Sequence, residues 1–206
     1  MQLAKPFIVG ITGASGSGKT SVINQLIEKF EPGKICLISQ DHYYKKADLQ
    51  PVDSNGYENY DVPESINIDD FVADVKAVAS GNEIKKMEYN FNNPNLLTHE
   101  ITFTPSPILI LEGIFIFHFL EIREMIDLKV FIDTYEDIRT ERRIKRDVSE
   151  RGHPLEEIKY RILNHVEPSY KLFVEPHKDK SDIILKNNES YDVPLQLLYN
   201  YLIQRI

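Results

Sequence analysis

The sequence predicts an α/β fold, a parallel β-sheet covered by helices on both faces, and three observations predict it. Five short apolar runs rich in β-branched residues, at 7–11, 35–39, 108–111, 130–132 and 183–185, end in Gly, Asp or polar turns and read as strands buried on both faces. Amphipathic segments at 20–30, 68–80, 119–126, 135–150, 155–174 and 194–206 alternate with them and read as helices. Between the first strand and the first helix lies a glycine-rich turn, Gly13-Ala14-Ser15-Gly16-Ser17-Gly18-Lys19-Thr20.

Length and composition set the frame. A chain of 206 residues is long enough to bury a core without disulfides or a structural metal, and 1–206 reads as one domain. Its 42% hydrophobic and 27% charged residues are ordinary globular usage. A formal net charge of −8 argues against a sequence-independent grip on nucleic acid, which requires a surplus of Lys and Arg against phosphates. The single cysteine, Cys36, sits in an apolar run and reads as a small core residue. Residues 1–6 lack the pattern of a signal peptide, and no apolar run approaches the ~20 residues of a membrane span, so a cytoplasmic setting is expected.

The glycine-rich turn satisfies G-x-x-x-x-G-K-[ST] and lies where that motif must lie, after a strand and at the opening of a helix. Glycines allow successive backbone N–H groups to turn inward around a phosphate, and the helix N-terminus adds partial positive charge. Lys19 would neutralise β and γ phosphates, and the Thr20 hydroxyl would coordinate Mg²⁺. No Asn-Lys-x-Asp guanine-reading motif is present, which disfavours a GTPase. A kinase needs in addition a second carboxylate near the metal, a base beside the acceptor hydroxyl and arginines over the transferring phosphate.

The strand run at 108–111 leads into Glu112-Gly113, and strand ends in a doubly wound sheet face the ligand crevice, so Glu112 is expected to hold Mg²⁺, through water. A second strand ends in Asp41, followed by His42-Tyr43-Tyr44. Asp41 is the candidate base and can also touch the metal's water shell, while Asp48 or Asp53 in the next loop could take its place. His42 has the right chemistry for proton transfer, but its neighbours do not fix its direction and it reads as a loop residue. Arg139, Arg142, Arg143 and Arg146 share a helical face by three-and-four spacing, and with Arg151 they form a candidate phosphate-binding lid. The segments at 42–67 and 89–95 break the strand–helix rhythm, and long irregular loops in a compact domain are usually functional.

These strings together resemble the uridine/cytidine kinase family, within the wider phosphoribulokinase/uridine kinase group, over most of the chain. The resemblance rests on the glycine-rich turn, Ser39-Gln40-Asp41-His42-Tyr43-Tyr44, Asn59-Tyr60-Asp61-x-Pro63 and Leu111-Glu112-Gly113-Ile114. Its most specific part is Phe131-Ile132-Asp133-Thr134 running into Arg142-Arg143-x-x-Arg146-Asp147-x-x-x-Glu150-Arg151-Gly152. It implies a P-loop NTPase fold with a five-stranded parallel sheet, a small β-hairpin flap and a helical, arginine-rich lid at about 136–155, with nucleoside-side loops at about 42–67 and 86–104. It implies ATP (or GTP) as phosphate donor, Mg²⁺, and phosphorylation of the 5′-hydroxyl of uridine or cytidine, as in pyrimidine salvage. By the same resemblance Asp41 is the base, Thr20 and Glu112 serve Mg²⁺, Asp61 binds ribose hydroxyls with Arg143, and Arg146 and Arg151 close over ATP. Tyr44, Tyr60, Tyr89 and Phe91 would line the nucleoside pocket, and a homo-oligomer, tetramer or dimer, is expected.

The chain departs from the family pattern at three places. Pro94 and Leu96 stand where a base-contacting histidine and an arginine are usual, Val62 replaces a histidine, and His153 follows Glu-Arg-Gly in place of an arginine. Losing a polar base contact redirects substrate choice. The same chemistry on another alcohol, such as another nucleoside or a pantothenate-like or sugar-phosphate acceptor, is therefore the alternative. A nucleotide-binding module without transfer is the third reading, against which the complete set Lys19, Thr20, Asp41 and Glu112 argues.

Overall fold

The computed structural model describes residues 5–89, 98–149 and 151–206. Five strands, β1 (Phe7–Gly13), β2 (Ile35–Ser39), β5 (Ile108–Glu112), β6 (Leu128–Asp133) and β7 (Ile183–Lys186), form one parallel sheet in the order β2-β5-β1-β6-β7. Two further strands, β3 (Ile84–Met87) and β4 (Glu100–Phe103), pair antiparallel as a separate hairpin, the flap expected from the resemblance. All five sequence-predicted strands are present, and the sheet is the expected α/β architecture.

Residue type explains why these runs are strands. In β5 the side chains of Leu109 and Leu111 enter one apolar cluster, with Ile8, Ile38, Phe71, Phe117 and Phe131, while Ile108 and Ile110 enter the other, with Val9, Ile11, Val22, Leu26 and Leu198. A strand buried on both faces needs an unbroken apolar run, and period-two alternation then divides it between two cores. The first core is covered by α2 (Ile68–Ala79) and the short α3 (Leu120–Arg123), the second by α1 (Lys19–Ile27) and α7 (Asp192–Leu202). Cys36 is buried in the first core, and burial pushes its thiol up to about 11.

Helix α4 (Glu136–Ser149) follows β6, and α5 (Leu155–Arg161) follows α4. The expected helix at 155–174 is continuous but irregular: α5 widens into π-type turns at Ile162–Val166, passes through a short α-helical link α6 (Glu167–Ser169) and widens again at Tyr170–Val174. Pro168 and Pro176 account for the two widenings, since each has no amide hydrogen and its ring crowds the carbonyl one turn back, at Asn164 and Leu172. Among the described residues no helix is long and apolar enough to cross a membrane.

The strand order creates the crevice. The connections that follow β1 build outward to β2 and back to β5, then cross to β6 on the other side of β1, so the carboxyl ends of β1, β5 and β6 open a ligand cleft at the reversal point. Close packing beneath this cleft leaves no room at Gly10 in β1, where a Cβ would lie 2.5 Å from Ile126 Cδ1 and 2.7 Å from Phe117 Cε1. Gly10→Val is expected to cost about 1–3 kcal/mol by overpacking, read as a lower urea midpoint with an unchanged slope.

Candidate active site

The phosphate-loop residues adopt the backbone their sequence calls for. Gly16 and Gly18 have φ of +79° and +88°, where a side chain is strained. Space is also lacking, because a Cβ at Gly16 would collide with the Arg139 carbonyl and one at Gly18 with the Asn187 side chain. Ser17 is wholly buried, and its Oγ has no hydrogen-bond partner among the described residues. Its carbonyl is held from two later elements, accepting from Thr134 Oγ1 (3.0 Å) after β6 and from Asn187 Nδ2 (2.8 Å) after β7. Lys19 Nζ folds back onto the Gly13 and Ala14 carbonyls at 3.0 and 3.2 Å. An orphaned buried hydroxyl, a cation satisfied by carbonyls alone and inward-turned glycines together fit a bound phosphate chain. Asn187 went unread in the sequence, since a lone Asn after a strand carries no motif; only its position against Gly18 gives it meaning.

Two carboxylates and a serine meet at the ends of β5 and β2. Parallel register pairs Glu112 with both Ile11 and Ser39. Ser39 Oγ donates to Glu112 Oε1 (2.5 Å) and accepts from the Asp41 amide (3.2 Å), so one serine ties the two carboxylate-bearing segments together. Burial, reinforced by the neighbouring Asp41 charge, pushes the Glu112 carboxyl up to about 7 despite Lys19 and the Ser39 hydrogen bond. Burial likewise lowers the Lys19 ammonium below its usual range, against the pull of Glu112 and Asp41. Both shifts run toward neutrality, as expected where burial outweighs the attraction between unscreened charges.

Of the three acids open as base in the sequence, Asp41 is the one beside Lys19 and Glu112. Asp48 is exposed on the turn Ala47–Leu49. Asp53 is fully engaged elsewhere: its Oδ2 lies 2.7 Å from both the Tyr160 hydroxyl and His165 Nε2, and its Oδ1 accepts from the Asn55 and Tyr57 amides. Thr20, with its exposed side chain at the start of α1, and Glu112 supply oxygen donors at the crevice. Among the described residues no group of three or more His, Cys, Asp or Glu could hold a metal alone. A Mg²⁺ carried with phosphates, which needs only one or two protein oxygens, fits this donor set.

The arginines do not share one direction, contrary to the helical-face expectation. Arg139 is 4% exposed; it donates to Glu167 Oε2 (2.7 Å) and stacks over the Tyr170 ring at 4.3 Å, so it secures α4 to the irregular helix. Arg142 donates to the Asn187 carbonyl (3.3 Å). Arg143 reaches inward, donating from Nη1 to Ser15 Oγ (2.8 Å) and Asp61 Oδ1 (3.1 Å), and from Nη2 to Asp61 Oδ2 (3.3 Å). The spread follows from α4 lying between the phosphate loop and α5: spacing fixes a face, but each long side chain swings to the nearest acceptor.

Asp147, to which the sequence pattern assigns no role, is the carboxylate on which Arg143, Arg146 and Arg151 converge. It is 5% exposed, lies 3.3 Å from Arg143 Nε, accepts from Arg146 Nε (2.9 Å) and lies 3.6 Å from Arg151 Nη1. Burial alone would raise its pKa, but the Arg146, Arg143 and Arg151 charges hold the carboxyl below its usual range. The signal that could have found it is charge arithmetic: a cluster of buried guanidinium groups requires a buried counter-charge.

The expected acceptor side is aromatic. Tyr44 packs between Tyr60 (5.9 Å between ring centres) and Tyr89 (5.7 Å), and the Tyr89 hydroxyl donates to the Lys45 carbonyl (3.3 Å). Phe91, Pro94 and Leu96 lie outside the described residues. The loop bearing Tyr60 and Asp61 is pinned to α5 and the π-type turn by Asp53 and by Arg161, which donates to the Glu58 carbonyl (2.7 Å).

Two measurements probe this geometry. Replacing Asp147 by Ala leaves Arg143 buried against one carboxylate instead of two and is expected to cost about 3 kcal/mol of unfolding free energy in urea. Glu112 gives a pH signature in metal-free buffer. Its folded value of about 7 exceeds its ordinary 4.5, so between those values the folded protein keeps a proton that the unfolded chain releases. Unfolding free energy should therefore contain a contribution that falls as pH rises through that window, and Glu112→Gln should abolish this contribution to the slope.

Comparison with known proteins agrees with this architecture. The model of the Phosphoribulokinase / Uridine kinase family matches residues 8–194. Uridine kinase of Macrococcus caseolyticus is 34% identical over 196 residues, 95% of each chain, and uridine kinase of Brevibacillus brevis is 35% identical over 95% of this chain and 92% of its own. Two solved structures share the fold: one described as a possible uridine kinase from Bacillus stearothermophilus (TM-score 0.63, 16% identity, 89% of this chain and 90% of the other), the other D-glycerate 3-kinase from Cryptococcus neoformans (TM-score 0.60, 15% identity, 84% and 80%). With a family match along most of its length and relatives of this similarity across nearly the whole chain, the protein belongs to the phosphoribulokinase/uridine kinase family of phosphotransferases, which use a nucleotide phosphate donor.

Proposed function

We propose that this chain transfers the γ-phosphoryl group of ATP to the 5′-hydroxyl of a pyrimidine ribonucleoside, uridine or cytidine, forming the monophosphate. The observation that carries the reading is the array at the strand ends: Lys19, Glu112, Ser39 and Asp41 gathered around one crevice, with the buried Arg143–Asp61 pair beside it. The names of the relatives, uridine kinase at 34–35% identity, support the acceptor class.

In this reading the loop from Gly13 to Thr20 cradles the β and γ phosphates, and Lys19, Arg143 and Arg146 stabilise charge as the phosphoryl group moves in line. Thr20, Glu112 and Asp41 are the residues that would hold Mg²⁺, which when bound neutralises charge between the β and γ phosphates. Asp41 accepts the proton of the attacking hydroxyl. Asp61, oriented by Arg143, binds ribose hydroxyls, and Tyr44, Tyr60, Tyr89 and Phe91 enclose the base. Arg146 and Arg151, set against Asp147, close over ATP as part of a lid within the single domain 1–206. A homo-oligomer completes the expectation.

A second acceptor class has a specific observation in its favour: D-glycerate 3-kinase shares this fold, so the same frame serves a small hydroxy acid. ADP release with uridine, cytidine, other nucleosides, D-glycerate, pantothenate and sugar phosphates separates the two. Turnover with uridine or cytidine at least tenfold above the other alcohols is expected, and no stimulation by any nucleoside overturns the nucleoside reading. Asp41→Asn should lower kcat by about 10²–10⁴-fold while ATP still binds; undiminished turnover removes Asp41 as the base.

A further inference from the structure

We propose that His42 is a specificity-determining contact, its Nδ1 forming a hydrogen bond to a polar group of the acceptor in the space between Asp41 and the β3–β4 hairpin. This rests on the phosphotransfer reading of the Asp41 crevice but not on the acceptor being a nucleoside.

The geometry around the short helical turn Gln40–Tyr43 sets this residue apart. Gln40 is 1% exposed and turned toward β5, its Oε1 accepting from the Phe115 amide (3.0 Å) while its side chain lies against Gly113; its Nε2, also unpartnered, is shut inside. Tyr43 points into the first core, its hydroxyl donating to Asp74 (2.9 Å) on α2. Asp41 faces Lys19 and Glu112. His42 takes the remaining direction, toward the hairpin: its ring lies 6.4 Å from that of Phe103 on β4, and the charges acting on it are those of Asp41, Glu88 and Lys86. Its ring therefore lies between Asp41 and the hairpin.

Nδ1 of this ring is buried and has no hydrogen-bond partner among the described residues. An imidazole nitrogen left without a partner in a folded protein costs free energy, and native structures tolerate few such groups outside functional sites. His165 has the same deficit, but its Nε2 is committed to Asp53 within a structural pin. Among the described residues neither nitrogen of the His42 ring makes a hydrogen bond, and the ring stands one residue from Asp41. A hydroxyl, amine or carbonyl of a bound acceptor is the partner that its place requires, since neutral imidazole offers either a donor or an acceptor at that nitrogen.

The test uses side chains that imitate one ring nitrogen at a time. Asn places a polar atom near the Nδ1 position, Gln near Nε2, and Phe keeps the ring without either. For the alcohol that the full-length enzyme turns over, His42→Phe and His42→Gln should raise the acceptor KM about tenfold, the loss of one neutral hydrogen bond. His42→Asn should stay within about threefold of wild type. ATP affinity and the thermal midpoint should be the same in all three, which separates a lost acceptor contact from a loosened hairpin. Equal KM values in wild type and His42→Phe overturn the proposal and assign the nitrogen to a water. A parallel loss in KM and thermal midpoint across all three variants overturns it in favour of a packing role. If uridine and cytidine are inert but another alcohol is phosphorylated, the nucleoside reading fails while His42 is judged on that alcohol; if no alcohol is phosphorylated, both fail.

Discussion

Parallel pairing of β1, β5 and β2 sets Ile11 opposite Glu112 and Glu112 opposite Ser39, and from this register the crevice takes its shape. Because all three strands run the same way, their carboxyl ends finish on one edge, and the chain must leave each of them there. The departing segments are the ones to which the proposed reaction assigns roles: Gly13 into the phosphate loop, Ser39 into Asp41, Glu112 into Gly113. A slip of one residue in β5 would turn Glu112 toward a core and bring Leu111 or Gly113 to its place at the crevice, because side chains alternate across the sheet. The cores that bury Leu109, Leu111, Ile108 and Ile110 on opposite faces make such a slip costly, so the packing of the sheet is what holds the acid in position.

Charge balance is the second constraint, and it binds distant parts of the chain. Burying a guanidinium demands a carboxylate and hydrogen bonds in return. Arg139 finds Glu167, Arg143 finds Asp61 and lies beside Asp147, and Asp147 gathers Arg146 and Arg151. Two of these pairs, Arg139–Glu167 and Arg143–Asp61, cross between elements far apart in sequence. Arg143–Asp61 joins α4 to the loop after β2, while Asp53 with Tyr160 and His165 joins the same loop to the helical region after α4. The loop that would receive the acceptor is thus held to the helices bordering the arginine cluster, and movement of either side is felt by the other.

Much of this was legible in the primary structure for definite reasons. The five buried strands are unbroken apolar runs, and the glycine-rich turn declares itself because few residues other than glycine accept the backbone at Gly16 and Gly18. Strand-end acids such as Glu112 and Asp41 could be singled out since the α/β layout dictates which ends of strands meet ligand. The flap hairpin and the roles of Asp61 and the tyrosines came from resemblance, not from pattern. Local periodicity misjudged the arginines, treating a shared helical face as a shared target when Arg139 and Arg143 reach carboxylates on different elements.

By itself, then, the sequence determined the α/β class, the phosphate loop and the residue types available for phosphoryl transfer, all of which depend on local spacing and on the order of strands and helices. Tertiary structure alone decided which of Asp41, Asp48 and Asp53 stands beside Lys19, how Ser39 bridges two strand ends, why Asn187 braces the phosphate loop and how Asp147 collects three arginines. These outcomes depend on contacts such as Ser39–Glu112 and Ser17–Asn187, 73 and 170 positions apart, or on the direction a long side chain takes once a partner comes within reach. No local pattern encodes them, because the energy that selects each one, a buried charge finding its counter-charge or a buried amide its acceptor, exists only after the elements have packed.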